Sequence, residues 1–382
     1  MSQKTIIFAG GGTGGHVYPM IAVAEAVQAL APELRLVFVG TSRGLEARAV
    51  PERGFELELI EVLPLRGGGV RGALRGVVRA LKTLPEAHAL VRRLEPLAVF
   101  SVGGYAAGPV SLAARLSGVP LALLEPNSVI GLANRLVAPF VARAYTAFPE
   151  SERHFKQERV LRAGVPIRKG FEPRPFDGHG PLRVLVLGGS QGAKALNEAV
   201  PRAIAKTEER LTVTHQCGRG QADGVRELYA SLGLSSRANV VAFIDDMPAA
   251  IAGADLIVGR SGASAVSEIC AVGRPGIYVP YPFAAGDHQR HNALSLQDAG
   301  AGVCVASAEA TPERIAAEID RLSADRRRLA EMAQSARDLG RPHAAHSIAQ
   351  DLLELAGLGS SKSRSNGNGG TVGHFQTFPG VN

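Results

Sequence analysis

The stretch Lys4-Thr5-Ile6-Ile7-Phe8-Ala9-Gly10-Gly11-Gly12-Thr13-Gly14-Gly15-His16-Val17-Tyr18-Pro19 decides the fold. Its apolar half reads as a buried strand, and its glycines read as a tight turn into a helix. About half a chain later, Leu182-Arg183-Val184-Leu185-Val186-Leu187 runs into Gly188-Gly189-Ser190-Gln191-Gly192-Ala193 in the same manner. Between them, Val102-Gly103-Gly104-Tyr105-Ala106-Ala107-Gly108-Pro109 repeats the pattern. Glycine lets backbone N–H groups approach a phosphate closely, and the helix that follows adds the positive end of its dipole. Three such turns predict ligand sites at the carboxyl edges of parallel sheets.

Outward from these turns, strand-like runs at 35–39, 57–62, 97–102, 121–124 and 143–147 alternate with helical runs at 21–30, 86–94, 109–116 and 131–137. The rhythm falters at the turn-rich segment 172–181 and restarts at Leu182. Strands at 211–215, 239–243, 255–258, 275–279 and 302–305 then alternate with helices at 197–206, 263–271 and 290–298. Such alternation predicts an α/β protein of two Rossmann-like domains with mostly parallel sheets. The expected division is 1–165 and 166–340, with a closing helix at 341–357 packing back on the first domain. The Gly- and Ser-rich tail, 358–382, is expected to be disordered.

Composition bounds the function. At 382 residues, 46% hydrophobic and 20% charged, the chain reads as an ordinary globular protein large enough for two cores. No apolar run reaches the roughly 18 residues of a membrane span, and no signal peptide is expected. Cys217, Cys270 and Cys304 are few and scattered, which argues against disulfides or a zinc site and for a reducing cytoplasm. The net charge of +7 comes without tryptophan and with six tyrosines. Nucleic acid is therefore a weaker partner than an anionic lipid surface or a phosphate-rich substrate.

Gly10, Gly12 and Gly15 satisfy G-x-G-x-x-G, so a dinucleotide site is weighed first. That reading requires an acidic residue at the end of the second strand, and Phe38-Val39-Gly40-Thr41 offers none. His16, at the start of the first helix, could take a proton from a sugar hydroxyl as a neutral imidazole. In the second half, Arg260-Ser261-Gly262-Ala263-Ser264-Ala265-Val266-Ser267-Glu268 starts a helix whose glutamate could accept both hydroxyls of a ribose. The polar cluster Asp287-His288-Gln289-Arg290-His291-Asn292 suits a sugar pocket better than a core. No metal and no cofactor are assigned.

Six motifs in consistent order carry a resemblance: Gly-Gly-Thr-Gly-Gly-His-Val at 11–17, Gly-Gly-Tyr-Ala-Ala-Gly-Pro at 103–109, Gly-Gly-Ser-Gln-Gly-Ala at 188–193, Phe-Ile-Asp-Asp-Met at 243–247, Arg-Ser-Gly-Ala at 260–263 and Asp-His-Gln at 287–289. Across residues 4–357 the chain resembles the peptidoglycan lipid I N-acetylglucosaminyltransferases, inverting enzymes of the GT-B fold. The resemblance implies transfer of GlcNAc from UDP-GlcNAc to the C4 hydroxyl of MurNAc in undecaprenyl-diphosphate-MurNAc-pentapeptide. It implies a peripheral position on the cytoplasmic face of the bacterial inner membrane. Donor contacts are implied for Thr13, Gly14, Gly15, Asn127, Arg168, Ser190, Ile244, Ala263, Ser264, Ala265, Val266, Ser267, Glu268 and Gln289. The acceptor diphosphate is expected against Gly12, Gly14, Gly103, Gly104 and Tyr105. His16 is the base candidate and Glu125 a weaker alternative.

The chain departs from the family pattern at Leu124-Glu125-Pro126-Asn127, where a histidine is common, and at Ala106-Ala107, where a serine is common. A lipid acceptor requires membrane docking. Arg71, Arg75, Arg79 and Lys82 repeat at helical spacing, with Leu74 and Val78 on another face, as an anionic surface would require. Two other classes share the architecture: a UDP-GlcNAc 2-epimerase, which would have no use for acceptor loops, and a nucleotide-sugar sensor, which would have none for His16.

Overall fold

The computed structural model describes residues 3–61, 70–104, 106–189, 192–208 and 210–359, with backbone alone over 70–81. The first sheet comprises β1 (Thr5–Gly10), β2 (Arg35–Gly40), β3 (Glu56–Leu59), β4 (Ala98–Gly103), β5 (Leu121–Glu125), β6 (Arg143–Thr146) and β7 (Val160–Leu161). Every pairing is parallel, in the order β3-β2-β1-β4-β5-β6-β7. Helices cover both faces, so β1 and β4 are buried along their whole length and are mostly apolar, with Ser101 of β4 bonded to Ser111 (3.1 Å). One face carries Phe8, Phe38 and Phe100 beneath the helix Gly14–Leu30; the other carries Ile7, Val37 and Val99 beneath the helices Val70–Leu94 and Ala107–Leu116.

The strand order reverses between β1 and β4. Their carboxyl ends, Gly10 and Gly103, are paired after a break in register at Ala9. The first and third glycine turns therefore lie side by side in the crevice where open α/β sheets bind ligands. A Cβ at Gly104 (φ +95°) would lie 2.5 Å from the Gly11 carbonyl oxygen, so this contact requires glycine.

The second sheet comprises β8 (Leu182–Leu187), β9 (Leu211–Gln216), β10 (Ala238–Val241), β11 (Leu256–Gly259), β12 (Gly276–Tyr278) and β13 (Gly302–Cys304). It is also all parallel, in the order β10-β9-β8-β11-β12-β13. Its reversal point lies between β8 and β11, which brings Gly188–Gly189 beside Arg260–Gly262. Beneath it His215, fully buried, bonds Tyr229 Oη (3.1 Å) and Asn197 Oδ1 (3.0 Å); burial lowers its pKa to about 4.

The helix Ala344–Leu355 leaves the second domain and packs on Gly14–Leu30, where Ile348, Ala349, Leu352 and Leu353 join the first core. Asp351 pins it, accepting from Arg143 Nε and Tyr145 Oη, each at 2.8 Å. Leu358 also packs on this core, so residues 358 and 359 do not belong to the expected tail; the rest of that tail lies outside the described residues. Among the elements longer than the sequence pattern implies are three helices. The first helix starts at Gly14 because Pro19, near its beginning, forfeits only one ladder bond. The runs near 70–82 and 86–94 form one helix, Val70–Leu94, with Pro85 inside it. The helix expected from 197 starts at Lys194.

Candidate active site

Thr13 caps the first helix in extended backbone and makes no side-chain cap bond, and the first turn holds no acidic residue. Thr13 and Gly15 are exposed, so unpaired N–H groups at this helix start remain open to an anion. His16 sits in that turn, partly buried, with Nδ1 3.3 Å from the Gly11 carbonyl oxygen. A carbonyl can only accept, so Nδ1 carries the proton and the neutral ring keeps its lone pair on Nε2. Desolvation lowers the His16 pKa. The Gly11 bond opposes this, His288 of the second domain reinforces it, and Glu46 opposes it. The result is an imidazole that is neutral near pH 7, which is the state a base requires.

Glu125 is only 1% exposed at the end of β5. Its oxygens accept from Asn127 N (3.1 Å), Gly131 N (3.1 Å) and Asn134 Nδ2 (2.9 Å). Burial raises its pKa, and these bonds oppose the rise. The Glu125 carboxylate is taken up by donors of its own loop and of Asn134, so it holds the 126–131 loop, and His16 is the better placed of the two base candidates. That loop meets the second domain. Asn292, fully buried on the helix His288–Asp298, accepts from Ser128 N (3.0 Å) and Ser128 Oγ (2.8 Å). It donates to Asn127 Oδ1 (3.3 Å) and Ser261 O (3.1 Å). Asn127, expected at the donor, is thus held at the junction of the two domains.

In the second domain, the helix Ala263–Val272 starts after Gly262 with no side-chain cap and no acidic first turn. The Ser264 hydroxyl is buried without a partner, an acceptor or donor awaiting one. The Val266 side chain packs in the core with Leu185, Ile257 and Tyr278, because helical spacing puts it on the face of Ile269 and Cys270. Only its backbone is left to meet a donor. Glu268 pairs with Arg168, Oε1 accepting from Nε (3.2 Å) and Nη2 (3.1 Å). Burial raises the Glu268 pKa and Arg168 opposes the rise. Gln289 Oε1 accepts from Tyr281 N (2.9 Å), and its Nε2 lies toward Gly262. Ile244 is half-buried near Met247.

The structure therefore gathers Thr13, Gly14, Gly15, His16, Gly103 and Gly104 at one sheet edge and Ala263 to Glu268 with Arg168 and Gln289 at the other. The helices Gly14–Leu30 and Ala263–Val272 touch. Tyr105 and Ser190 lie outside the described residues, as do the side chains of Arg71, Leu74, Arg75, Val78 and Arg79; Lys82 is exposed. Sequence reasoning missed Asn134 and Glu46; it named Arg260 and Asn292 inside ligand-like motifs without their structural roles, and Asn292, expected in a sugar pocket, is fully buried at the domain junction. Arg260 donates to Val279 O (2.9 Å) and Pro280 O (2.8 Å), fixing the turn that follows β12. Among the described residues no helix is long and apolar enough to cross a membrane.

Two Rossmann-like domains, each with a reversal of strand order in a parallel sheet, give the chain the GT-B architecture. Residues 6–146 match the glycosyltransferase family 28 N-terminal domain, and residues 183–352 match the glycosyltransferase family 28 C-terminal domain. The chain belongs to this family. It is 56% identical to the UDP-N-acetylglucosamine--N-acetylmuramyl-(pentapeptide) pyrophosphoryl-undecaprenol N-acetylglucosamine transferase of Sorangium cellulosum, over 92% of this chain and 88% of that one. The enzyme of the same name from Anaeromyxobacter dehalogenans is 45% identical, over 92% of each chain. The crystal structure of Acinetobacter baumannii MurG superposes with a TM-score of 0.79 at 33% identity, covering 92% of this chain and 99% of that one.

Proposed function

We propose that the protein transfers N-acetylglucosamine from UDP-N-acetylglucosamine to the C4 hydroxyl of MurNAc in undecaprenyl-diphosphate-MurNAc-pentapeptide, with inversion, forming lipid II and UDP. The supporting observation is a neutral histidine at an open helix start, beside two touching glycine turns, across a cleft from a second such sheet edge. The acceptor oxygen bonds to the anomeric carbon on the face opposite UDP. The bond from that carbon to the phosphate oxygen breaks, its electrons leave with UDP, and the hydroxyl proton passes to His16 Nε2. The Gly188–Gly192 turn, the start of the helix Lys194–Ile204 and Arg168 offset the charge that develops on the leaving diphosphate. Gly14, Gly103 and Gly104 receive the acceptor diphosphate, the Gly12 N–H being held by Glu46, and Glu268 and Gln289 hold the ribose and the GlcNAc hydroxyls. Asn292 fixes the two domains in register so that the reacting atoms meet.

The protein works peripherally, on the cytoplasmic face of the membrane, with the Arg71–Lys82 segment against anionic lipid. Binding to anionic liposomes that persisted in high salt would count against this surface. The test of the reaction itself is UDP release from UDP-GlcNAc with and without a lipid I analogue. Release that depends on the acceptor and yields the disaccharide supports the reading; conversion of UDP-GlcNAc to its epimer without acceptor overturns it.

A further inference from the structure

We propose that Glu46 is a positioning residue for His16, acting through the one peptide unit that joins Gly11 to Gly12. Glu46 Oε2 accepts from Gly12 N at 2.8 Å, while the Gly11 oxygen of the same unit faces His16 Nδ1 at 3.3 Å. A carboxylate bonded to an amide N–H polarises that amide and concentrates negative charge on its oxygen. The Gly11 oxygen then becomes a stronger acceptor for Nδ1–H. That favours the tautomer with the Nε2 lone pair and stabilises the imidazolium formed when a proton is taken, as a directly bonded carboxylate does in other His-dependent sites.

The site is built around this carboxylate. Glu46 is 1% exposed, and Oε1 accepts from Thr41 N (2.9 Å) and Thr41 Oγ1 (3.0 Å). Every partner donates, the pattern of an ionised carboxylate. Three glycines leave it room: a Cβ at Gly11, Gly40 or Gly44 would fall 2.3, 2.4 or 2.0 Å from Glu46 atoms. A carboxylate meant only to staple the loop would not need to lie on the one amide whose oxygen meets the histidine. The charged and titratable groups that act on His16 are Glu46, on its own sheet edge, and His288, from the opposite domain.

The inference rests on His16 being the base, and a double-mutant cycle separates the two claims. Glu46→Gln in the wild-type background should lower kcat by about 10-fold with the donor KM within twofold. The acid limb of the kcat/KM profile should move to lower pH, because removing the negative charge makes the imidazolium harder to form. In the His16→Ala background Glu46→Gln should cost nothing further. An equal loss in both backgrounds, or an unmoved acid limb, overturns the inference while leaving the base assignment intact. Near-wild-type turnover by His16→Ala overturns the base assignment itself. Should Glu46→Gln fail to fold, the ¹⁵N spectrum of the His16 ring in the wild-type protein decides: a protonated Nδ1 supports the inference, and a protonated Nε2 refutes it.

Discussion

The two glycine turns at the heads of the two domains share a backbone plan and differ in what braces them. The first is braced by charge, with the Glu46 carboxylate on Gly12 N. Among the described residues, the second is braced by neutral amides. Gly188 N donates to Gln216 O (2.9 Å), and Asn197 Nδ2 bridges Cys217 O (2.9 Å) and Gln221 Oε1 (2.8 Å). Under the reaction proposed above, the difference separates two jobs: the turn braced by a carboxylate would tune a base, and the turn held by amides would keep its positive helix end for a leaving diphosphate.

The comparison breaks most readily at His16. His16→Ala should lower kcat by about 10²- to 10⁴-fold, measured by UDP release at saturating donor. The brace of the second turn is the next target, through acid. His215, beneath Asn197, has a folded pKa of about 4 against 6.5 in the unfolded chain. Its neutral form is the folded one, so its contribution is complete above about pH 6.5 and is lost as pH falls toward 4. The loss amounts to roughly 3 kcal/mol, read as a falling urea midpoint that His215→Gln flattens. Asn292→Ala tests the coupling of the two regions. It leaves Ser128 N and Oγ without their acceptor and should cost about 1–2 kcal/mol, seen as a raised donor KM and a lower melting temperature. The smallest effect is expected at the membrane: Lys82→Glu should weaken binding to anionic vesicles by about 1 kcal/mol per charge removed, in a salt-dependent manner.

Much of this was legible in the chain. A strand buried on both faces must be largely apolar, so β1, β4 and β8 announced themselves, and the glycines after them marked the ligand edges. Glu46 was not legible. The expected position for an acidic residue was the end of β2, at 38–41, and Glu46 lies five residues beyond on the short helix Glu46–Ala49. A charged residue in so short a helix reads as a solvated surface group until tertiary packing buries it. Asn292 reads with its neighbours as part of a sugar pocket, because its partners, Ser128 and Asn127, are brought to it only by the docking of the two domains. Glu125 and Val266 show what a motif alone does not reveal: one is enclosed by its own loop's N–H groups, and the side chain of the other falls on the core side of its helix.

The division of labour between the two turns is tested most directly by titrating UDP into the wild-type protein, His16→Ala and Glu268→Gln by calorimetry. The account predicts that Glu268→Gln weakens UDP binding by about 10-fold or more. His16→Ala, which has lost turnover, should bind UDP within twofold of the wild type. A loss of UDP affinity in His16→Ala as large as that in Glu268→Gln would place UDP on the first turn and contradict the account.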